Sequence, residues 1–395
     1  MSTNFVSPGP ATPSPIPVSV ERAGAVLTID LAAICENWRL LKRKLKPNAD
    51  CGAVIKADAY GLGAGNVAAA LAGAGCKTFY VAHLNEGIEV RKVLGSGPRI
   101  VVMHGVNPGL EPEVFRHGLI PVLSTPEQIS SWRTFATNAD VLQETIVQVD
   151  TGMNRLGLSE REFTDHLNDA DALQGLTPLA LMSHLACAST PGHPYNKMQL
   201  ERFTSTLSAF RTKYPDAKAS LSNSAGLFLG EAWHYDYLRP GAALYGINPH
   251  PGGANPMLPV VRLQARILQL RRVDSTQTVG YGATFKAADG TKLATVSIGY
   301  ADGVLRSLSN TGTATLDGIP IKVAGTVSMD LLTFDITNVP DSSARVGAMI
   351  DVLFHAHTVD DLAEEAGTIG YEILTSLGQR YARRYLPANV PGLTS

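Results

Sequence analysis

Cysteine is scarce in this 395-residue chain, and Cys35, Cys51, Cys76 and Cys187 stand far apart with no CxxC pair. That spacing excludes a zinc ribbon and a disulfide-dense scaffold, so the four read as reduced core thiols and no metal site is expected. No window is apolar for long enough to cross a bilayer. The first 20 residues hold five prolines, no Lys or Arg and no continuous apolar run, which is the wrong composition for a secretory signal. The cytoplasm is therefore the expected compartment, with residues 1–22 a flexible Pro-rich leader. Neither sign of charge is in excess: 33 Lys plus Arg face 35 Asp plus Glu, a formal charge of -2. Nothing favours nucleic acid or an anionic membrane surface, and a small-molecule partner is expected instead.

What is present is an ordinary folded composition, 45% apolar and 7% aromatic, which is too hydrophobic for overall disorder. Strand-like β-branched runs fall at 26–29, 53–56, 78–82, 100–104, 120–123, 146–150, 179–184 and 219–222. Between them lie stretches of helical period, such as 31–45 behind the capping residue Asp30, and 195–214. Strand then helix, repeated over more than 200 residues, predicts an α/β unit at 23–248: a parallel (β/α)8 TIM-type barrel. An open doubly wound sheet is the competitor. A cluster of Asn, Pro and Gly at 248–256 marks a boundary, and the short strands beyond it predict a smaller all-β domain over 249–395.

Catalytic groups of such barrels collect at the C-terminal ends of the strands. Lys56, His184, Asn223 and Ser224 fall at or just after strand-like runs, as does Arg155 behind Asp-Thr-Gly-Met-Asn, and Arg239 precedes Pro-Gly-Ala. A lone lysine at a strand end ordinarily snorkels to water. Partial burial would instead leave its amine neutral and able to attack a carbonyl. Gly61, Gly63 and Gly65, beside Tyr60, could open a helix whose amides face an anion, although such glycines more often just make turns.

The run Val-Ile-Lys-Ala-Asp-Ala-Tyr-Gly-Leu-Gly resembles the pyridoxal-phosphate attachment motif of alanine racemases. The resemblance continues in order through 150–157, 183–186, 223–226 and 239–241, then through Gly-Tyr-Gly-Ala-Thr-Phe at 280–285, Gly-Tyr-Ala-Asp-Gly at 299–303 and Ser-Met-Asp at 328–330. It implies a barrel carrying pyridoxal 5'-phosphate on Lys56, interconversion of L- and D-alanine by two bases, and D-alanine supply for peptidoglycan. It also implies a homodimer whose active sites combine one barrel with Tyr281 and Met329 of the other subunit. Lys56 and Tyr281 are then the acid/base pair, on opposite faces of the substrate. A phenol is a poor base at neutral pH, and the resemblance supplies a chain from Tyr281 through His184 to Arg239. Arg239 faces the cofactor's ring nitrogen without giving up its proton. Arg155 and Met329 take the substrate, Arg155 through its carboxylate. Tyr60, Ser224 and the amides of Gly241 and Ala242 hold the phosphate.

Two departures mark this sequence. Where many relatives carry a carbamylated lysine, seven positions before the carboxylate-binding arginine, Gln148 stands, and its amide, with a bound chloride, is expected to orient Arg155. Gln379 replaces a tyrosine that some relatives place before the arginine here numbered 380, leaving the far wall of the pocket unassigned; Tyr300 is a further pocket candidate. A broader racemase acting on serine and a non-catalytic pyridoxal-phosphate carrier remain alternatives. So does a barrel-type decarboxylase with the same cofactor, against which Arg239 speaks because such enzymes place an acidic residue there.

Overall fold

In the computed structural model residues 19–387 are described, and the leader, up to residue 18, lies outside them. Seven parallel strands follow one another round a sheet: Ala53–Val54, Thr78–Val81, Arg99–Val102, Ile120–Leu123, Gln143–Gln148, Leu176–Met182 and Lys218–Ser220. Runs such as Phe79, Tyr80 and Val81 are buried throughout, as strands covered by helices on one face and by each other on the other must be. The eighth strand is short. Tyr237–Leu238 pairs in parallel with Asp50–Cys51, while Asp236 N donates to Ala219 O at 3.0 Å and Val54 N to Pro240 O at 2.9 Å. These bonds close the barrel.

The expected strand at 26–29 forms, as Ala25–Asp30, but in the other sheet. It lies between Val261–Arg272, to which it is antiparallel, and Ala382–Leu386, to which it is parallel. Asp30 then caps the first barrel helix, Leu31–Arg43, by accepting from Ala33 N at 2.9 Å. In the eight-stranded second sheet, Lys292–Val296 pairs back onto Val261–Arg272 and closes six strands into a ring. Bulges in Val261–Arg272 bend it.

One continuous core runs through both sheets, from Trp38 and Phe203 round the barrel to Phe334 and Leu353. Two helices of the second unit, Val359–Ala366 and Gly370–Ser376, lean over the barrel mouth. A Cβ on Gly61 would lie 2.6 Å from Leu374 O, and one on Gly63 would run into the Tyr385 hydroxyl. Those glycines admit the second unit rather than an anion. Cys35, Cys51 and Cys76 are buried and Cys187 half-buried, all as free thiols. No described helix is long and apolar enough to cross a membrane.

Candidate active site

Lys56 follows the strand Ala53–Val54 and begins a turn of uncommon hand. Ala57, Asp58, Ala59 and Tyr60 all have φ between +52° and +57°, four left-handed residues in succession without a glycine. Each costs about 1–2 kcal/mol relative to a right-handed turn, so the surroundings must hold them. Glu86 Oε1 accepts from Ala57 N at 2.6 Å, Asp58 Oδ1 from Ala64 N at 2.7 Å, and the Tyr60 ring packs 4.7 Å from Tyr245. The helix expected to open at the glycines does so: Ala64–Gly73 has Gly63 as its N-cap and Gly65 in its first turn.

Above the barrel is a cavity of about 670 Å³ whose lining includes Lys56, Tyr60, Arg155, His184, Ser224, Arg239, Gly241 and Ala242. Every candidate from the first unit is there. Burial, with Arg155 nearby, holds the Lys56 amine below its usual range, against a smaller pull from Glu86. Losing its proton costs less there than in water.

Arg239 is 4% exposed, and its partners are all neutral: the Ser220 hydroxyl, Ser183 O at 2.6 Å, Leu221 O at 3.3 Å and His184 Nδ1 at 3.4 Å. Among the described residues no carboxylate pairs with it, unlike an ordinary arginine salt-bridged at a strand end. Burial lowers its pKa to about 10, which leaves it charged at neutral pH. Burial, then Arg239, Arg155 and Lys56, drive His184 down to about 3, so its ring is neutral. An arginine can only donate, so Nδ1 accepts and the ring's proton sits on Nε2.

Ser224 Oγ accepts from the amides of Gly241, at 2.9 Å, and Ala243, at 3.2 Å, which leaves its own O–H to donate. The Gly241 N–H, expected to face an anion, thus points at Ser224. Gln148 is buried and lines the cavity, but Nε2 donates to Leu156 O at 3.2 Å, so it engages the backbone beside Arg155 rather than the guanidinium.

Of the lining residues not singled out from the sequence, three shape the pocket's far side. Tyr371, on Gly370–Ser376, supplies the far wall that Gln379 left unassigned, its ring 5.9 Å from Tyr60. Nothing local in the sequence signals it. Met103 and His104 follow the strand Arg99–Val102, and the strand-end rule applied to that run could have found His104. Tyr281 and Met329 are not in the cavity. Tyr281 is 73% exposed on a turn with Gly280 and Gly282 at φ +73° and +75°, and Met329 is 52% exposed. Tyr300, 44% exposed, lies beside them, its N–H on Ser328 O at 3.0 Å.

A barrel mouth that gathers a half-buried lysine, a guanidinium and a hydroxyl with its proton free has the form of an enzyme pocket for a small molecule bearing an anionic group. Comparison with known proteins narrows this class. The family models for the alanine racemase N-terminal and C-terminal domains match residues 29–249 and 260–385. The alanine racemase of Rhodospirillum rubrum is 48% identical over 92% of this chain and 96% of its own length, and the catabolic alanine racemase of Mesorhizobium japonicum 47% over 94% and 95%. The crystal structure of alanine racemase from Bartonella henselae with covalently bound pyridoxal phosphate superposes with a TM-score of 0.87 at 37% identity, covering 92% of this chain and all of that one. The biosynthetic enzyme of Pseudomonas aeruginosa gives 0.84 at 34%, with the same coverage of each chain. This chain belongs to the alanine racemase family.

Proposed function

We propose that the chain interconverts L- and D-alanine with pyridoxal phosphate, and so supplies D-alanine for peptidoglycan in the cytoplasm. The observation that carries this reading is the single cavity that collects Lys56, Arg155, His184, Ser224 and Arg239. The family is dependent on pyridoxal phosphate. The residues fit that group: an amine whose proton burial makes easier to lose, a hydroxyl with its proton free, and a buried arginine that no described carboxylate pairs. Lys56 would join its carbonyl carbon, while Tyr60, Ser224 and the backbone N–H of Ala242 would hold its phosphate, the Gly241 N–H being taken by Ser224. Arg239 would meet its ring nitrogen. When bound, the group supplies an electron-withdrawing ring that acidifies the α-C–H of an amino acid joined to it.

Arg155 binds the alanine carboxylate through its planar fork. Once the incoming amino group takes its place on the cofactor, the freed Lys56 Nζ would remove or return the α-proton on one face, serving the D-enantiomer. On the other face the partner subunit's Tyr281 does the same for the L-enantiomer, with Met329 closing that side of the substrate site. His184 Nε2–H, fixed by Arg239 behind it, donates toward the phenolic oxygen and eases its loss of a proton. The exposure of Tyr281, Tyr300 and Met329 supports a second subunit covering them. In heavy water, L-alanine incubated with the loaded enzyme should lose its α-proton and its optical rotation together. Retention of both would leave a carrier that binds the cofactor without turnover.

A further inference from the structure

Around the barrel mouth runs a chain of hydrogen bonds that joins the turn after Lys56 to the backbone beside Arg155. It starts at the turn after Lys56, where Glu86 Oε1 accepts from Ala57 N at 2.6 Å. The other carboxylate oxygen accepts from Ala82 N at 2.7 Å and His83 N at 3.0 Å, and Ala82 O in turn accepts from His104 N at 3.2 Å. Gln128 bridges the next two strand ends. Its Nε2 donates to His104 O at 3.2 Å while Oε1 accepts from Ser124 N at 2.7 Å. Ser124 Oγ then donates to Gln148 Oε1 at 3.5 Å, the longest link, and Gln148 Nε2 reaches Leu156 O, next to Arg155.

Gly105 shows how closely this is fitted. A Cβ there would lie 2.5 Å from Gln128 Nε2 and 2.8 Å from Val122 O, so only a glycine lets the amide reach His104 O. Gln128 sits in the first turn of the helix Pro126–Ala139, which Thr125 caps by accepting from Gln128 N at 3.2 Å. Its position is therefore fixed by the barrel rather than by a loop.

We propose that Gln128 is a positioning residue for the substrate carboxylate: through Ser124 and Gln148 it sets the Leu156 backbone, and hence Arg155, relative to the Lys56 turn. The bridge between Val149 and Leu158 closes the ends of the loop bearing Arg155, and the Gln148 side chain adds a contact at Leu156 that comes from the far side of the barrel mouth. The inference rests on the reading of Arg155 as the carboxylate ligand. Gln128 touches neither substrate nor cofactor.

The test uses the full chain loaded with pyridoxal phosphate, with propionate as a carboxylate probe. Gln128→Leu should raise both KM for alanine and the propionate inhibition constant about tenfold, the effect of losing one well-placed hydrogen bond. Turnover at saturation should stay within about twofold, because the proton-transferring groups are untouched. Gln148→Leu should do the same, and the double variant should be no worse than either alone, since both cut one chain. A folded Gln128→Leu enzyme with unchanged KM and propionate inhibition, or a double variant whose losses add, overturns the proposal. Should that variant fail to fold, Ser124→Ala removes only the hydroxyl link and carries the same expectation. Failure of the wild type to racemise alanine would instead sink the functional reading itself.

Discussion

The barrel mouth and the exposed ridge of the second unit treat their polar and aromatic groups in opposite ways. Arg239 is 4% exposed and makes four hydrogen bonds to neutral partners; Tyr281 is 73% exposed and rests on the chain only through its backbone, whose carbonyl accepts from Thr326 Oγ1 at 2.9 Å. A protein holds a buried group in place when its position is finished within the chain. Large side chains left in water, as Tyr281, Tyr300 and Met329 are, have no position finished within the chain. The amine side of the proposed site is self-contained, and the phenol side is not.

The largest effect expected from this contrast is complementation. Lys56→Ala should lose the yellow absorbance of the bound cofactor and all measurable turnover, whereas Tyr281→Phe should keep the absorbance and lose about 10²–10⁴-fold in rate. Mixed and allowed to exchange subunits, the two inactive proteins should regain about a quarter of wild-type activity, because half the dimers then hold one intact site of two. No recovery, with exchange demonstrated, would mean that each site lies within one chain.

Acid should damage the buried region and spare the exposed one. His184 is neutral in the folded state down to about pH 3, while in the unfolded chain it binds a proton below about 6.5. The unfolded state therefore takes up the extra proton, and stability falls as pH drops from 6.5 toward 3, by roughly 2 kcal/mol at pH 5 from this group. His166, lowered by burial to about 4, acts in the same direction. Urea melts at pH 7 and pH 5 measure this, and His184→Asn should reduce the difference. A decline of unchanged size in that variant would remove His184 as its source.

Smallest of all is the expected response to bicarbonate. Gln148 needs no carbamylation to reach Leu156 O, so turnover should be unchanged when bicarbonate is stripped from the buffer. A loss reversed by adding it back would show that some other group at the mouth is modified.

The barrel half of the site was legible because each of its residues closes a strand within a local motif, and a strand end fixes where its side chain goes. Other parts were hidden by long-range contacts. The run 26–29 has the same alternation as a barrel strand, and only its pairing with Val261–Arg272, some 230 residues on, places it in the second sheet. The left-handed turn is equally silent, since Ala-Asp-Ala-Tyr has no glycine to announce it and is held by Glu86, 29 residues away. Tyr371 comes from a helix whose own sequence gives no reason for it to face the barrel.

By itself the amino-acid order determined which reactive groups exist and that they sit at strand ends, because burial period and turn chemistry are local properties of a chain. Only the tertiary structure decided their chemical state. His184 becomes a neutral donor, and Arg239 stays charged without a counter-ion, through burial among groups brought from distant strands, and desolvation is a property of the assembled interior rather than of any segment.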